Sequence, residues 1–290
     1  CNPVNCPYAK GHYDRVNDAV FSLLQKEDMI TREVILEQAK EYNVCPFEMC
    51  LDTATWVDDI ICDYNYVFDP NVYLKRFFAD GTTGDYIFLV DEAHNLVERS
   101  REMYSAIIYK EDFLLAKKIL KKYGQAKLMR ELEKCNRVLL SYKRECEKYV
   151  IYESIGNFAF ELMNVASDLD EFLQKAPEFP ERKDLSEFYL NLRNFLNIYE
   201  LLDDHYVVYA EHEQDGRFKL KLYCVDPSKN LQERINKGNA TIFFSATLLP
   251  VGYYKSLLST ETDNYAVYAK TAFREEQKLL LLGNDVSSKY

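Results

Sequence analysis

Asp91-Glu92-Ala93-His94 sets two carboxylates and an imidazole at the end of the apolar run Tyr86–Val90. An aspartate at a strand end can hold Mg²⁺ beside the β- and γ-phosphates of a nucleotide, often through water, and the next carboxylate can polarise a water aimed at the γ-phosphorus. The bland alternative is an acidic strand end facing solvent. At ~5% usage per residue type, about 290 windows give a chance match to this tetrapeptide on the order of 10⁻³, which favours the chemical reading. Ser245-Ala246-Thr247 follows a second apolar run, Thr241–Phe244. Small hydroxyl side chains there could bond the carboxylates and sense phosphate. Alone the tripeptide reads equally well as the cap of a helix starting near Leu248. Its pairing with the first motif gives it weight.

A third constellation is Cys1-x4-Cys6 and, well downstream of it, Cys45-x4-Cys50. Four thiolates so spaced suit tetrahedral zinc or an iron–sulfur cluster, and spacing alone leaves both open. Pro3, Pro7 and Pro46 beside these cysteines fit rigid ligand loops better than helix interiors. Of the other cysteines, Cys135 and Cys146 fall on a helical apolar seam and read as packing residues. Cys62 and Cys224 lie in strand-like runs and read as buried bystanders.

The elements that must position these groups follow from hydrophobic period. Asp59–Cys62, Tyr86–Val90 and Thr241–Phe244 read as buried strands of a parallel sheet covered on both faces. The carboxyl ends of such strands carry the ligand site in open α/β sheets. Residues 98–204 switch to spacings of three and four. Leu128, Leu132, Cys135, Leu139, Tyr142, Cys146 and Tyr149 form one seam. Phe158, Leu162, Val165, Leu169 and Phe172 form a second, and Leu185, Phe188, Leu192, Phe195, Tyr199 and Leu202 a third. "QKAPEFPERKD" separates the last two helices, since its prolines cannot continue one. The alternation in Phe218–Tyr223 predicts a hairpin around Asp215-Gly216. The expected fold is α/β, with a helical bundle inserted into a sheet.

Composition sets the outer limits. The 290 residues are 48% hydrophobic and carry a net charge of −11, which argues against a generally basic nucleic-acid coat. Charge is uneven, however: residues 110–148 hold 12 basic and 6 acidic side chains, whereas residues 149–204 hold 4 and 12. The basic stretch reads as a contact surface or as a solvated helix face. No run approaches 18 apolar residues, so no membrane span is expected. The chain opens on cysteine, and the expectation is an internal piece of a longer, intracellular, cytoplasmic protein acting as a monomer. No G-x-x-x-x-G-K-[ST] phosphate loop occurs in it, so the piece alone is expected to be inactive.

"VDEAHNL" looks like helicase motif II and "FFSATLLP" like motif III, while "IICDYNYVFDP" is similar to the strand preceding motif II. "CNPVNCPYAKGHYDR" with "VCPFE" resembles the cysteine segment of iron–sulfur superfamily 2 helicases of the XPD/DinG type, nearest the bacterial DinG-like branch. The resemblance implies a partial RecA-like motor domain with an inserted iron–sulfur segment and an inserted helical Arch. It divides the chain into a cluster domain at 1–56, motor parts at 57–97 and 205–290, and an Arch at 98–204. The implied activity is ATP-driven 5′→3′ movement on single-stranded DNA, with ATP, Mg²⁺ and a [4Fe–4S] cluster as cofactors. Asp91 and Glu92 become the Mg²⁺ and water-activating carboxylates. His94, with Ser245 and Thr247, couples nucleotide state to the DNA site. Cys1, Cys6 and Cys45 match three cluster ligands, the fourth lying upstream of residue 1; Cys50 matches none. Lys117, Lys118, Lys121 and Lys122 are expected to approach the strand, with Tyr8 and Tyr13 available for base stacking and Tyr123 and Tyr142 ranked behind them. Two other classes stay open: a non-catalytic single-stranded DNA-binding module and a zinc-stabilised interaction domain.

Overall fold

A computed structural model of the chain describes residues 6–79, 81–270, 273–277 and 279. It divides into two compact units, Cys1–Asp63 and Tyr64–Tyr290. The break falls beyond the expected end of the first domain at residue 56.

The first unit is three helices: α1 (His12–Lys26), α2 (Arg32–Glu41) and α3 (Pro46–Thr53). Val16, Ala19, Val20 and Leu23 form one face of α1 and pack with Ile35, Ala39, Val44 and Met49. Gly11 precedes α1 at φ 71°, a left-handed position that glycine adopts without strain. Thr31 caps α2 by accepting from Val34 N–H, and Pro46 occupies the first turn of α3, where its missing N–H is harmless. Arg15 donates to the carbonyls of Lys10, Tyr42 and Asn43, so the entry to α1 is tied to the α2–α3 connection. The strand expected at Asp59–Cys62 is not formed. Residues 59–63 carry no regular structure, Ile61 is fully exposed, and Cys62 is exposed rather than buried. Three apolar residues between aspartates carry too little period to mark a strand, and among the described residues no strand pairs with them.

In the second unit, α4 (Asn65–Phe68) and α5 (Lys75–Phe78) precede β1 (Ile87–Val90), which leads into α6 (His94–Met103). The chain then forms β2 (Ala106–Tyr109), α7 (Lys110–Lys122), α8 (Ala126–Glu145), β3 (Tyr149–Tyr152), α9 (Gly156–Lys175) and α10 (Arg182–Tyr199). It closes with β4 (Tyr206–His212), β5 (Phe218–Cys224), α11 (Ser228–Ile235), β6 (Ala240–Phe243) and α12 (Val251–Leu258).

β1 and β6 pair in parallel, with Ile87 opposite Ala240 and Val90 opposite Phe243. One face of this pair packs on Phe68, Phe78, Leu96, Val97, Leu257 and Leu258. The other face, with Ile87, Leu89 and Ile242, is exposed. The expectation of cover on both faces is therefore corrected. An apolar run looks the same whether one face or two are covered, because every residue in it is apolar.

The insert differs from an all-helical bundle. β2 and β3 are the outer strands of an antiparallel sheet ordered β2-β5-β4-β3, whose centre is the predicted hairpin. Gly216 turns that hairpin at φ 85°. Phe218, Leu220, Leu222 and Cys224 are fully buried on one side of it. The seams of α8, α9 and α10 pack with this face as one core through Leu132, Leu139, Phe158, Leu162, Leu192 and Phe195. Strands on both sides of the expected 204/205 boundary thus share a sheet. The first seam ends early: α8 stops at Glu145, and Tyr149 is an exposed residue of β3. Strands as short as β2 and β3 leave no period that stands out between long helices. Among the described residues no helix is long and apolar enough to cross a membrane.

Candidate functional site

Parallel pairing of β1 and β6 brings their carboxyl ends side by side, and the main chain continues the contact past both strands. Phe244 N–H donates to Val90 C=O at 3.0 Å, and Ala93 N–H donates to Phe244 C=O at 3.2 Å. The segments 91–94 and 244–247, far apart in sequence, are thereby held in register.

Glu92 is the pivot of the first segment. Its φ of 47° is left-handed, a conformation that costs an L-residue about 1–2 kcal/mol. Asp91 Oδ1 accepts Glu92 N–H at 2.7 Å, which offsets part of that cost. The turn leaves both carboxylates exposed while α6 starts at His94, anchored by fully buried Leu96 and Val97. The partial positive charge at the start of α6 favours the anionic side chains beside it.

Ser245 joins the two segments. Its Oγ lies 2.8 Å from His94 Nδ1, donates to Glu92 Oε2 at 3.2 Å and accepts Thr247 N–H at 3.2 Å. These partners are mutually consistent only if His94 Nδ1 carries the proton and donates to Ser245. His94 Nδ1 is also 3.2 Å from Glu92 Oε2, and Thr247 Oγ1 is 3.4 Å from Ser245 Oγ. The structure therefore brings Glu92, His94, Ser245 and Thr247 into one hydrogen-bonded group with Asp91 adjacent. Phe244, whose carbonyl locks the two segments, was not singled out by sequence because a backbone acceptor leaves no side-chain signature.

Among the described residues no three His, Cys, Asp or Glu side chains group as a metal cage. The pair Asp91 and Glu92 nonetheless suits Mg²⁺, which is commonly held by one or two carboxylates, with waters and phosphate oxygens completing the shell. A cavity of about 630 Å³ lies elsewhere, lined by Tyr123, Lys127, Asp168, Phe172 and Phe179. It contains none of the residues of this group.

Cys1 lies outside the described residues. Cys45 is buried immediately before α3, and Cys6 is half-buried. A short chain of hydrogen bonds links the two. Ala9 N–H donates to Cys6 C=O, His12 N–H to Ala9 C=O, and Cys45 N–H to His12 Nδ1 at 3.2 Å. His12 is buried, and its Nε2 has no partner. The buried, unpartnered Nε2 of the histidine that holds the Cys45 main chain suits an acceptor such as thiolate or sulfide, and Cys6 and Cys45 suit a sulfur-rich group by the chemistry of their side chains. Cys50 is exposed on α3, five positions on from Cys45, which turns it well away from that side. Tyr13 is 84% exposed, and Tyr8 is half-buried.

The four lysines of α7 are not equivalent. Lys117 pairs with Glu133 of α8, and Lys122 with Glu181, each at 2.5 Å. Lys118 and Lys121 are exposed and have no ion-pair partner among the described residues; three apart, they share a helix face. Elsewhere in 110–148, Lys127 pairs with Asp168, Lys134 with Glu161, Arg137 with Glu133 and Lys143 with Glu111. Much of the local positive surplus is thus neutralised within the bundle. Tyr123 lies with its ring 4.7 Å from that of Phe179 and donates to Glu181. Lys122 and then Tyr123, both bonded to the Glu181 carboxyl, hold it well down at about 2. Tyr142 lies 4.3 Å from the Tyr152 ring. Both tyrosines are committed to packing.

Residues 2–113 match the DEAD_2 family model. A stretch of 103 residues is 26% identical to the Regulator of telomere elongation helicase 1 homolog of Anopheles gambiae; it covers 36% of this chain and 10% of that protein. The chain therefore spans only a small part of this curated relative. The family match includes Cys6, Cys45, Asp91, Glu92 and His94, and ends within α7. Ser245, Thr247 and most of the helical insert lie beyond it. The likeness is thus to a DEAD_2 domain and, over a short stretch, to a protein described as a helicase.

Proposed function

We propose that the chain is part of an ATP-dependent DNA helicase of the XPD/DinG type, nearest the DinG-like branch, that moves 5′→3′ on single-stranded DNA. Residues 57–97 and 205–290 form part of its first motor domain, residues 98–204 the Arch, and residues 1–56 a segment that ligates a [4Fe–4S] cluster. The observation that carries this reading is the Ser245 bridge. It makes one polar group of a strand-end Asp-Glu-x-His and a Ser-x-Thr from the next strand, as a motor that links hydrolysis to movement requires.

In this mechanism Asp91 would hold Mg²⁺ and Glu92 would polarise the attacking water. Bound Mg²⁺ neutralises charge on the phosphates. Glu92 shares Ser245 with His94, so a change in the charge or position of its carboxylate is felt at His94 and Thr247 through one hydroxyl. Cys1, Cys6 and Cys45 would be ligands of the cluster. Lys118 and Lys121, unpaired within the bundle, meet backbone phosphates, and Tyr13 stacks on a base. The test is strand displacement by the full-length protein: a duplex with a 5′ single-stranded tail should be opened in the presence of ATP and Mg²⁺, and one with only a 3′ tail should not. Equal opening of both, or neither, would overturn the proposed polarity or the helicase reading respectively.

A further inference from the structure

His12 is 4% exposed, and its ring has two distinguishable edges. Nδ1 accepts Cys45 N–H at 3.2 Å. A neutral imidazole has one lone-pair nitrogen and one N–H. With the lone pair of Nδ1 engaged, the proton resides on Nε2. This edge is therefore a donor and has no lone pair for a metal. Nε2 is also buried without a partner, the one such side-chain atom in the first unit among the described residues. Leaving a donor so buried is costly, because folding strips its water and supplies no acceptor in exchange. The neighbouring Arg15, by contrast, finds backbone carbonyls for its donors.

The surroundings indicate what the missing acceptor is. The main chain of Cys6 reaches His12 through two successive backbone hydrogen bonds by way of Ala9, and the main chain of Cys45 rests on the imidazole itself. The imidazole thus holds the Cys45 main chain, the Cys6 main chain is joined to that of His12 through Ala9, and Cys45 is buried as His12 is. Sulfur in thiolate or sulfide form accepts N–H bonds, and hydrogen bonds to sulfur are among the means by which a protein sets a cluster's potential. We propose that His12 is a positioning residue whose Nε2–H donates to a sulfur of the iron–sulfur group, either a ligating thiolate or a bridging sulfide. This rests on the cluster proposed above. His12 would fix the Cys45 loop with one edge of its ring and raise the reduction potential with the other.

The test uses the full-length protein reconstituted anaerobically with iron and sulfide, comparing wild type with His12→Asn and His12→Gln. Asparagine can keep the acceptor for Cys45 N–H but has no distal donor; glutamine places an amide N–H near the Nε2 position. Electron–nuclear double resonance on the reduced cluster, with ¹⁵N-histidine labelling, should show one coupled histidine nitrogen in the wild type. His12→Asn should lose that coupling, keep its iron and have a lower midpoint potential. His12→Gln should recover most of the wild-type potential. If His12→Asn does not retain iron, wild-type coupling together with restored potential in His12→Gln still supports the assignment. A loaded wild-type cluster with no histidine coupling overturns it while leaving the cluster reading intact. A wild-type protein that binds no iron overturns the cluster reading, and this assignment with it.

Discussion

Removing the Ser245 hydroxyl should uncouple the two strand ends, and the size of the effect follows from its contacts. The His94–Ser245 bond at 2.8 Å contributes about 1 kcal/mol. The bond to Glu92 is charge-assisted, but that side chain is 60% exposed. Water can replace the lost donor, so its share falls to about 0.5 kcal/mol. Ser245→Ala should therefore destabilise the second unit by about 1–2 kcal/mol. His94→Ala should cost about the same, and the double variant about 1 kcal/mol less than the sum. The assay is urea unfolding followed by far-UV circular dichroism. Trp56, the single tryptophan, lies in the first unit, so its fluorescence separates that unit's transition from the one of interest. Additive effects, with no coupling energy beyond the scatter seen between independent sites, would refute the claim that Ser245 links His94 to the second motif.

Other outcomes test other parts of the structure. Cys45→Ser should abolish iron binding in the anaerobically prepared full-length protein while Cys50→Ser leaves it intact, as read by the visible absorbance of the cluster and by iron analysis. Changing Lys118 and Lys121 to Glu should weaken single-stranded DNA binding and lower the salt slope by about 1.4, at ~0.7 per lost phosphate contact. Changing Lys117 and Lys122, which are paired within the bundle, should mainly alter stability. Leu132→Ala, at a fully buried α8 position, should cost about 2–5 kcal/mol in the same unfolding assay. Burial, and then Asp168, raise the Glu131 carboxyl above its usual value. Its contribution is thus fully present below the unfolded-state value and is lost as pH rises through the folded one. Glu131→Gln should accordingly raise the melting temperature at neutral pH, and the gain should vanish in acid.

Sequence exposed the parts of this chain whose period is long or whose chemistry is dense. The helices carrying Leu132, Leu162 and Leu192 could be read because three or more turns repeat the same face, and the hairpin because Phe218–Tyr223 alternates around Asp-Gly. Tyr86–Val90 and Thr241–Phe244 were readable because each runs into a polar motif, although their one-sided cover was not. β2 and β3 were hidden, being short and defined by partners on strands distant in sequence. Asp59–Cys62 misled because a short apolar run has no period to contradict it. At the site, Glu92, His94 and Ser245 were visible by type and position. His12 was missed, although "CPYAKGHYDR" sets a histidine shortly after a candidate ligand, because a lone histidine gives no hint that one ring edge will be buried unpaired. The division of the lysines on α7 depends on Glu133 and Glu181, which lie on other elements, so no local pattern could show it.

The most direct test of the account is ATP hydrolysis by the full-length protein, wild type and Glu92→Gln, with and without single-stranded DNA. The account predicts hydrolysis that the DNA stimulates in the wild type. In Glu92→Gln it predicts loss of turnover with retained ATP and Mg²⁺ binding, because the variant keeps the shape of the side chain and removes the charge that polarises water. Turnover by Glu92→Gln at the wild-type rate, or a wild type whose hydrolysis ignores DNA, would contradict it.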